Sequence, residues 1–217
     1  MRMSRFMSSV ALATALVVGT ALGSNSASAT TLYDNLSAGS SGTDAASSVG
    51  PLYDSFSTGS SALFFDSLNL LLNASSPGDG GTFTVSLLSD NSTSPGSLIG
   101  SSNPELDSSL STSLGVVSLT PSILLAANSR YWIELSSTGS VNWSWSTDIS
   151  GVGVAAEYYD SQRGVLTNVS GPYQMQVGGT SVSATPLPAA LPLFATGLGA
   201  MGLLGWRKRR KAALAAA

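Results

Sequence analysis

Short runs that alternate apolar with hydroxyl-bearing or amide residues, each closed by a turn, leave this chain few folds to choose from. Thr82-Phe-Thr-Val-Ser-Leu87 places Phe83, Val85 and Leu87 on one face and Thr84 and Ser86 on the other. Tyr131-Trp-Ile-Glu-Leu135 turns Tyr131, Ile133 and Leu135 inward, Val141-Asn-Trp-Ser-Trp-Ser146 does so with Val141, Trp143 and Trp145, and Tyr173-Gln-Met-Gln-Val177 repeats the pattern with its glutamines outward. Segments 67–72 and 114–119 are two further candidates. A period of two means strands, and no long segment carries the 3.6-residue period of a helix. Pro77-Gly-Asp-Gly-Gly81, Ser94-Pro-Gly96, Ala127-Asn128, Thr138-Gly139 and Ser170-Gly-Pro172 supply turns between the runs. One apolar face, one hydroxyl-rich face and frequent turns predict an all-β fold, an antiparallel β-sandwich of jelly-roll type, over residues 30–183. About 150 residues bury an adequate core without disulfides. Leu32-Tyr-Asp-Asn-Leu-Ser-Ala-Gly-Ser-Ser41 is echoed by Leu52-Tyr-Asp-Ser-Phe-Ser-Thr-Gly-Ser-Ser61. Two copies do not make a solenoid, and two similar edge strands are the simpler expectation.

The chain has 217 residues with no His and no Cys. That removes disulfides, His or Cys metal ligation, thiol nucleophiles and every scheme that uses an imidazole base. Between Asp34 and Arg163 stand all twelve acidic residues and only two basic ones, Arg130 and Arg163, a formal charge of −10. Such a surface lacks the clustered Lys and Arg that nucleic acid requires, so no nucleic-acid partner is expected. Serines abound, yet the body offers no His or Lys to take a proton from one.

Carboxylate chemistry is weighed residue by residue. Glu134 and Glu157 are the candidates for a glycosidase pair, but nothing in their surroundings marks them, and a solvated strand face is the plainer account. Asp79, Asp90 and Asp148 lie in Gly- or Ser-rich turns where an oxygen-ligated Ca²⁺ is conceivable. No D-x-D-x-D-G run accompanies them, turn formation explains each, and neither a metal site nor a cofactor is expected. Trp143 and Trp145 belong to the inward face, whereas Trp132 points to the opposite face beside Glu134 and is the candidate exposed platform for stacking on a sugar.

The two ends carry addresses. Arg2 and Arg5 precede an apolar run, Val10 to Leu22, and a polar stretch ending in Ala27-Ser28-Ala29. These are the three parts of a secretory signal peptide over residues 1–29, with Ala27 and Ala29 at the cleavage site; the run is short for a membrane anchor. Signal peptidase and the Sec machinery are the partners this implies. At the other end, Leu187 to Trp206 is 20 residues without a charge, about 30 Å as a helix, followed at once by Arg207, Lys208, Arg209, Arg210 and Lys211. A transmembrane helix over 187–206 is expected, its basic tail 207–211 held in the cytoplasm and the acidic body outside. Pro186, Pro188 and Pro192 break its entry, and Gly197, Gly199, Gly202 and Gly205 give it a small-residue face.

Residues 184–211 resemble a PEP-CTERM sorting segment of Gram-negative bacteria, in the variant opening VPLPA; here Thr185-Pro186-Leu187-Pro188-Ala189 has Thr where Val is usual. The resemblance implies that a membrane-embedded exosortase recognises the motif, removes helix and tail, and passes the body to the cell surface or an exopolysaccharide matrix. The body is similar to the choice-of-anchor R type of exported domain through Leu32–Leu36, Ser55–Ser60, the turn from Ser89-Asp90 to Pro95-Gly96, Tyr131-Trp132, Leu135–Ser137, Val141–Trp143 and Pro172–Met175. That resemblance implies no catalytic residues. The expectation is an exported structural or interaction protein, an inner-membrane intermediate first and then a surface or biofilm-matrix component, without catalytic activity. The alternative is a carbohydrate-binding module that retains exopolysaccharide.

Overall fold

The computed structural model describes residues 28–161 and 164–182, together with positions 194, 196–199, 201, 202 and 206, which are helical. Ala27, the motif Thr185–Ala189, most of the span 187–206 and the basic cluster 207–211 lie outside the described residues. No helix among the described residues is long and apolar enough to cross a membrane.

The alternating runs are strands. In chain order they are β1 (Ala29–Asp34), β2 (Gly42–Ala45), β3 (Leu52–Ser57), β4 (Leu63–Ala74), β5 (Thr82–Asp90), β6 (Pro95–Ser101), β7 (Glu105–Leu106), β8 (Gly115–Leu119), β9 (Ile123–Leu125), β10 (Arg130–Ser137), β11 (Val141–Trp145), β12 (Tyr158–Ser161), β13 (Gly164–Thr167) and β14 (Met175–Ser181). They form two sheets in which every pairing is antiparallel. One runs β1-β14-β4-β11-β2, with β8 and β9 pairing β4; the other runs β13-β12-β3-β10-β5-β6, with β7 on β5. A single core draws on both: Leu68, Leu70, Trp143 and Met175 from the first sheet, and Phe56, Val85, Ile133 and Leu135 from the second. Two sheets sharing one apolar interior make an all-β sandwich.

The ladder shows how the alternation sorts side chains. Across β10 and β3, Tyr131 faces Phe56, Ile133 faces Asp54 and Leu135 faces Leu52, while Trp132 faces Ser55 on the other side of the sheet. Trp143 stacks on Tyr173 at 4.8 Å between centroids, and its indole N–H donates to the Gln174 carbonyl at 2.9 Å. Gln174 departs from the expected outward position. It is buried, accepting from the Ser144 hydroxyl at 2.6 Å and donating to the Ala38 carbonyl at 2.7 Å, because the chain preceding β2 lies over it.

The echoed segments do not become two edge strands. β1 is an edge of the first sheet, but β3 lies inside the second between β10 and β12. A bulge between Thr31 and Tyr33 turns Tyr33 into the core, whereas the regular β3 turns Leu52 and Asp54 inward and leaves Tyr53 half-buried on the far side. The turn expected at Ser94–Gly96 falls earlier, at Ser92 and Thr93, both with positive φ (54° and 74°), and Pro95 already opens β6. A two-residue loop with both central residues in that region matches the twist of a hairpin.

Candidate functional site

The outer face of β10 is the place to begin, since Trp132 was the expected ligand platform. It is wrong for that role: Trp132 is 0% exposed, and its indole N–H donates to Asp90 Oδ1 at 2.8 Å. The alternation of β10 does put Trp132 outside the main core, but that face is covered rather than wet. Ser55, opposite it on β3, is buried too, and donates to Glu157 Oε2 at 2.9 Å while accepting from the Tyr158 amide at 2.9 Å. The segment ending in Glu157 thus lies across the sheet.

Arg130 organises this face. Its Nε donates to Glu157 Oε2 at 2.8 Å, an Nη lies 4.0 Å from Asp90, and the guanidinium sits 4.7 Å over the Tyr158 ring. Glu157 is 3% exposed and therefore depends on this pairing. Asp90 also accepts from the Thr93 amide at 3.3 Å, so one carboxylate ties the hairpin turn to Trp132. Glu134 does not join Glu157. It lies beside Tyr53 and Ser86 on the ladder, and burial alone raises its carboxyl. Arg130, Glu157, Asp90, Ser55 and Trp132 thus form one network of hydrogen bonds and charge pairs.

A second polar group lies in the core. Asp54 is wholly buried, and burial pushes its carboxyl well above the ordinary range. Tyr33 donates its hydroxyl to Asp54 Oδ2 at 3.5 Å and accepts from Asn168 Nδ2 at 3.1 Å; its phenol is raised by burial first and by the Asp54 charge second. Asp54 Oδ1 and Asn168 Oδ1 both lack a hydrogen-bond partner.

Of the three turn aspartates, Asp90 is committed to Trp132 and Arg130, and Asp148 caps its own turn by accepting from the Ser150 amide at 2.9 Å. Asp79 alone meets another carboxylate, Asp107, which the sequence did not single out. Contact with Asp79, then burial, raises the Asp107 carboxyl, while Asp79 is lowered by that contact and by the Gly81 amide. The sequence offers no spacing signal for this pair, which sits in two loops 28 positions apart.

The sandwich also opens on a cleft of about 470 Å³ between the β5–β6 edge and the β8–β9 connection. Phe65, Leu68 and Ile133 form its floor and Ser101, Ser102 and Ser122 stand at its rim, with no charged residue in its lining. Its chemistry suits an uncharged ligand with one apolar side.

No protein-family model matches the chain, and no curated protein matches it by sequence.

Proposed function

We propose that this chain is an exported β-sandwich module, processed at both ends and delivered to the cell surface or extracellular matrix of a Gram-negative bacterium, where it acts by contact rather than catalysis. The observation that carries the reading is the order of features after β14: the Thr185–Ala189 motif, an uncharged stretch to Trp206, and the basic cluster Arg207–Lys211. A signal peptidase and an exosortase are the partners it calls for.

The fold supports this reading in two ways. The run β1-β14-β4, with β8 on β4, and the run β3-β10-β5-β6 in the other sheet support reading the sandwich as a jelly roll, a scaffold used for surface and binding roles. β1 and β14 are neighbours, with Ala29 opposite Thr180 and the Ser28 amide donating to Ser181 Oγ at 3.2 Å. The start of β1 and the end of β14 therefore lie side by side, an arrangement that suits processing at both ends.

The test is deletion of residues 185–217 followed by fractionation. The body is expected in the periplasm or medium; unchanged surface retention would overturn the reading. A second reading, retention of exopolysaccharide, now rests on the inter-sheet cleft instead of Trp132. Its test is titration of the protein with the host polysaccharide, where Ser101→Trp is expected to abolish binding; a flat titration of the unmodified protein rejects it.

A further inference from the structure

One flank of the sandwich is left open. β6 is the last strand of its sheet, and β8 and β9 stand on the free side of β4 in the other. Thr120-Pro-Ser122 joins β8 to β9, and Pro121 has no amide hydrogen to offer a further strand. Across the gap, β6 is held to β5 through two register shifts, one after Leu87 and one after Leu88. Irregularities of that kind bend an edge strand out of line. The two flanks approach at Gly100, where an added Cβ would stand 2.8 Å from Ile123 Cδ1. Around that approach lies the cleft of about 470 Å³.

Its depth and its mouth differ in chemistry. Below, Phe65 and Leu68 come from β4, Val85 and Leu87 from β5, and Ile133 from β10. All five belong to the core, so the cleft opens on the apolar interior between the sheets. A sugar ring placed there would set its hydroxyls against aliphatic carbon without partners, a cost that a hydrocarbon avoids. At the mouth stand hydroxyls. Ser102 donates to the Asn103 carbonyl at 3.0 Å and accepts from the Val85 amide at 3.1 Å. Ser101 donates to the Ser102 carbonyl and accepts from the Ser86 hydroxyl, both at 3.2 Å. Their hydrogens are spent within the protein, and the lone pairs left over suit a ligand's hydroxyls. Among the described residues no charged side chain lines the cleft, and a body with twelve acidic residues disfavours an anionic head group.

We propose that this cleft binds an uncharged sugar through a hydrocarbon chain attached to it, the chain lying between the sheets and the sugar on the hydroxyl rim. The inference rests on reading the cleft as the saccharide-retaining site, and adds which part of the ligand enters it. At about 30 Å³ for a water-sized group, the volume holds on the order of fifteen such groups, the scale of a medium-length acyl or alkyl chain. Each methylene drawn out of water strengthens binding by about threefold to fourfold until the cleft is full. An acyl substituent on a polysaccharide and a neutral glycolipid share this chemistry.

The experiment uses the full chain kept soluble in amphipol. The probe is octyl β-glucoside with a photoreactive diazirine near the end of its chain. Light expels N₂, the carbene inserts into neighbouring C–H bonds, and adducts are mapped by peptide mass spectrometry. Label is expected on residues 119–123, scored against label on the apolar segment 187–206 in the same sample, which reports non-specific partition. Unlabelled hexyl, octyl and decyl glucosides are expected to displace it with the stated rise per methylene, and free glucose to leave it in place. Ser101→Trp and Thr120→Trp, both at exposed rim positions, are each expected to remove the cleft label alone. Leu98→Ser, at an exposed position of β6 outside the lining, is expected to retain it. The host polysaccharide is expected to displace the probe and to lose that power once mild alkali strips its acyl esters. Displacement by the glucosides alone supports the inference with a glycolipid as the source. Displacement by polysaccharide that survives alkali overturns the inference and leaves polysaccharide retention standing. A potency indifferent to chain length, or label confined to 187–206, overturns it as well.

Discussion

The outer face of β10 and the loop end around Asp107 pose the same problem, a buried carboxylate, and meet it in opposite ways. At β10, Glu157 is buried beside a guanidinium that also approaches Asp90, and Ser55 supplies a further hydrogen bond. At the loop end, Asp107 is buried in contact with a second carboxylate, Asp79, and no basic side chain pairs with either among the described residues. The core adds a third case in Asp54, wholly buried, whose carboxyl burial pushes well above its ordinary range while the Tyr33 hydroxyl donates to it. Among the described residues only Arg130 pairs with a buried acid, while Asp54 and Asp107 are met by a Tyr33 hydroxyl and a Gly78 amide and have their carboxyls raised.

The comparison breaks most visibly at Arg130. Arg130→Met leaves Glu157 buried and unpaired, and is expected to cost about 3 kcal/mol in equilibrium unfolding, at the low end for a buried pair because the guanidinium is partly wet. Adding Glu157→Gln is expected to recover much of that loss. Trp132→Phe keeps most of the ring but strips Asp90 of its indole donor; a loss of about 1–2 kcal/mol is expected in the same assay. An exposed platform would show no loss at all.

Asp54→Asn sharpens the contrast through pH. The folded carboxyl is raised, so the native state holds a proton that the unfolded chain releases above about pH 4. The stability this group contributes is present below the unfolded pKa and drains away as pH rises toward the folded value. The variant, neutral throughout, is expected to gain on the unmodified chain as pH rises above about 4; a difference in Tm that stays constant there would contradict a raised Asp54 carboxyl. The smallest effect is at Thr93, a β-branched residue held at φ 74° while its amide bonds Asp90. Thr93→Gly relieves the backbone without touching that bond and is expected to stabilise by about 0.5–1 kcal/mol.

Legibility follows the same division. Strands β5, β10, β11 and β14 were readable because Phe83, Ile133, Val141 and Val177 recur at period two against hydroxyls and amides. β2, β6, β12 and β13 were not, since Gly42–Ala45, Pro95–Ser101, Tyr158–Ser161 and Gly164–Thr167 carry too few apolar residues to define a face. Trp132 takes the expected side of its strand but not the expected environment: local period fixes the side, whereas the cover over that face comes from contacts distant in sequence, Asp90 on Trp132 and Glu157 on the neighbouring Ser55. The Asp79–Asp107 contact is likewise tertiary, and only Asp79 drew notice, because a Gly-rich turn is visible locally while its partner across the fold is not.

β1 and β14, the first and last strands of the body, lie side by side, with Ala29 opposite Thr180. That the chain reaches its place as a bare sandwich, cut at both ends, is tested most directly by the intact mass of the mature protein recovered from its host. A mass beginning at Thr30 and ending near Pro188, with or without an added group at that end, is the predicted result. A mass that runs to Ala217 would contradict it and make the C-terminal segment a permanent anchor.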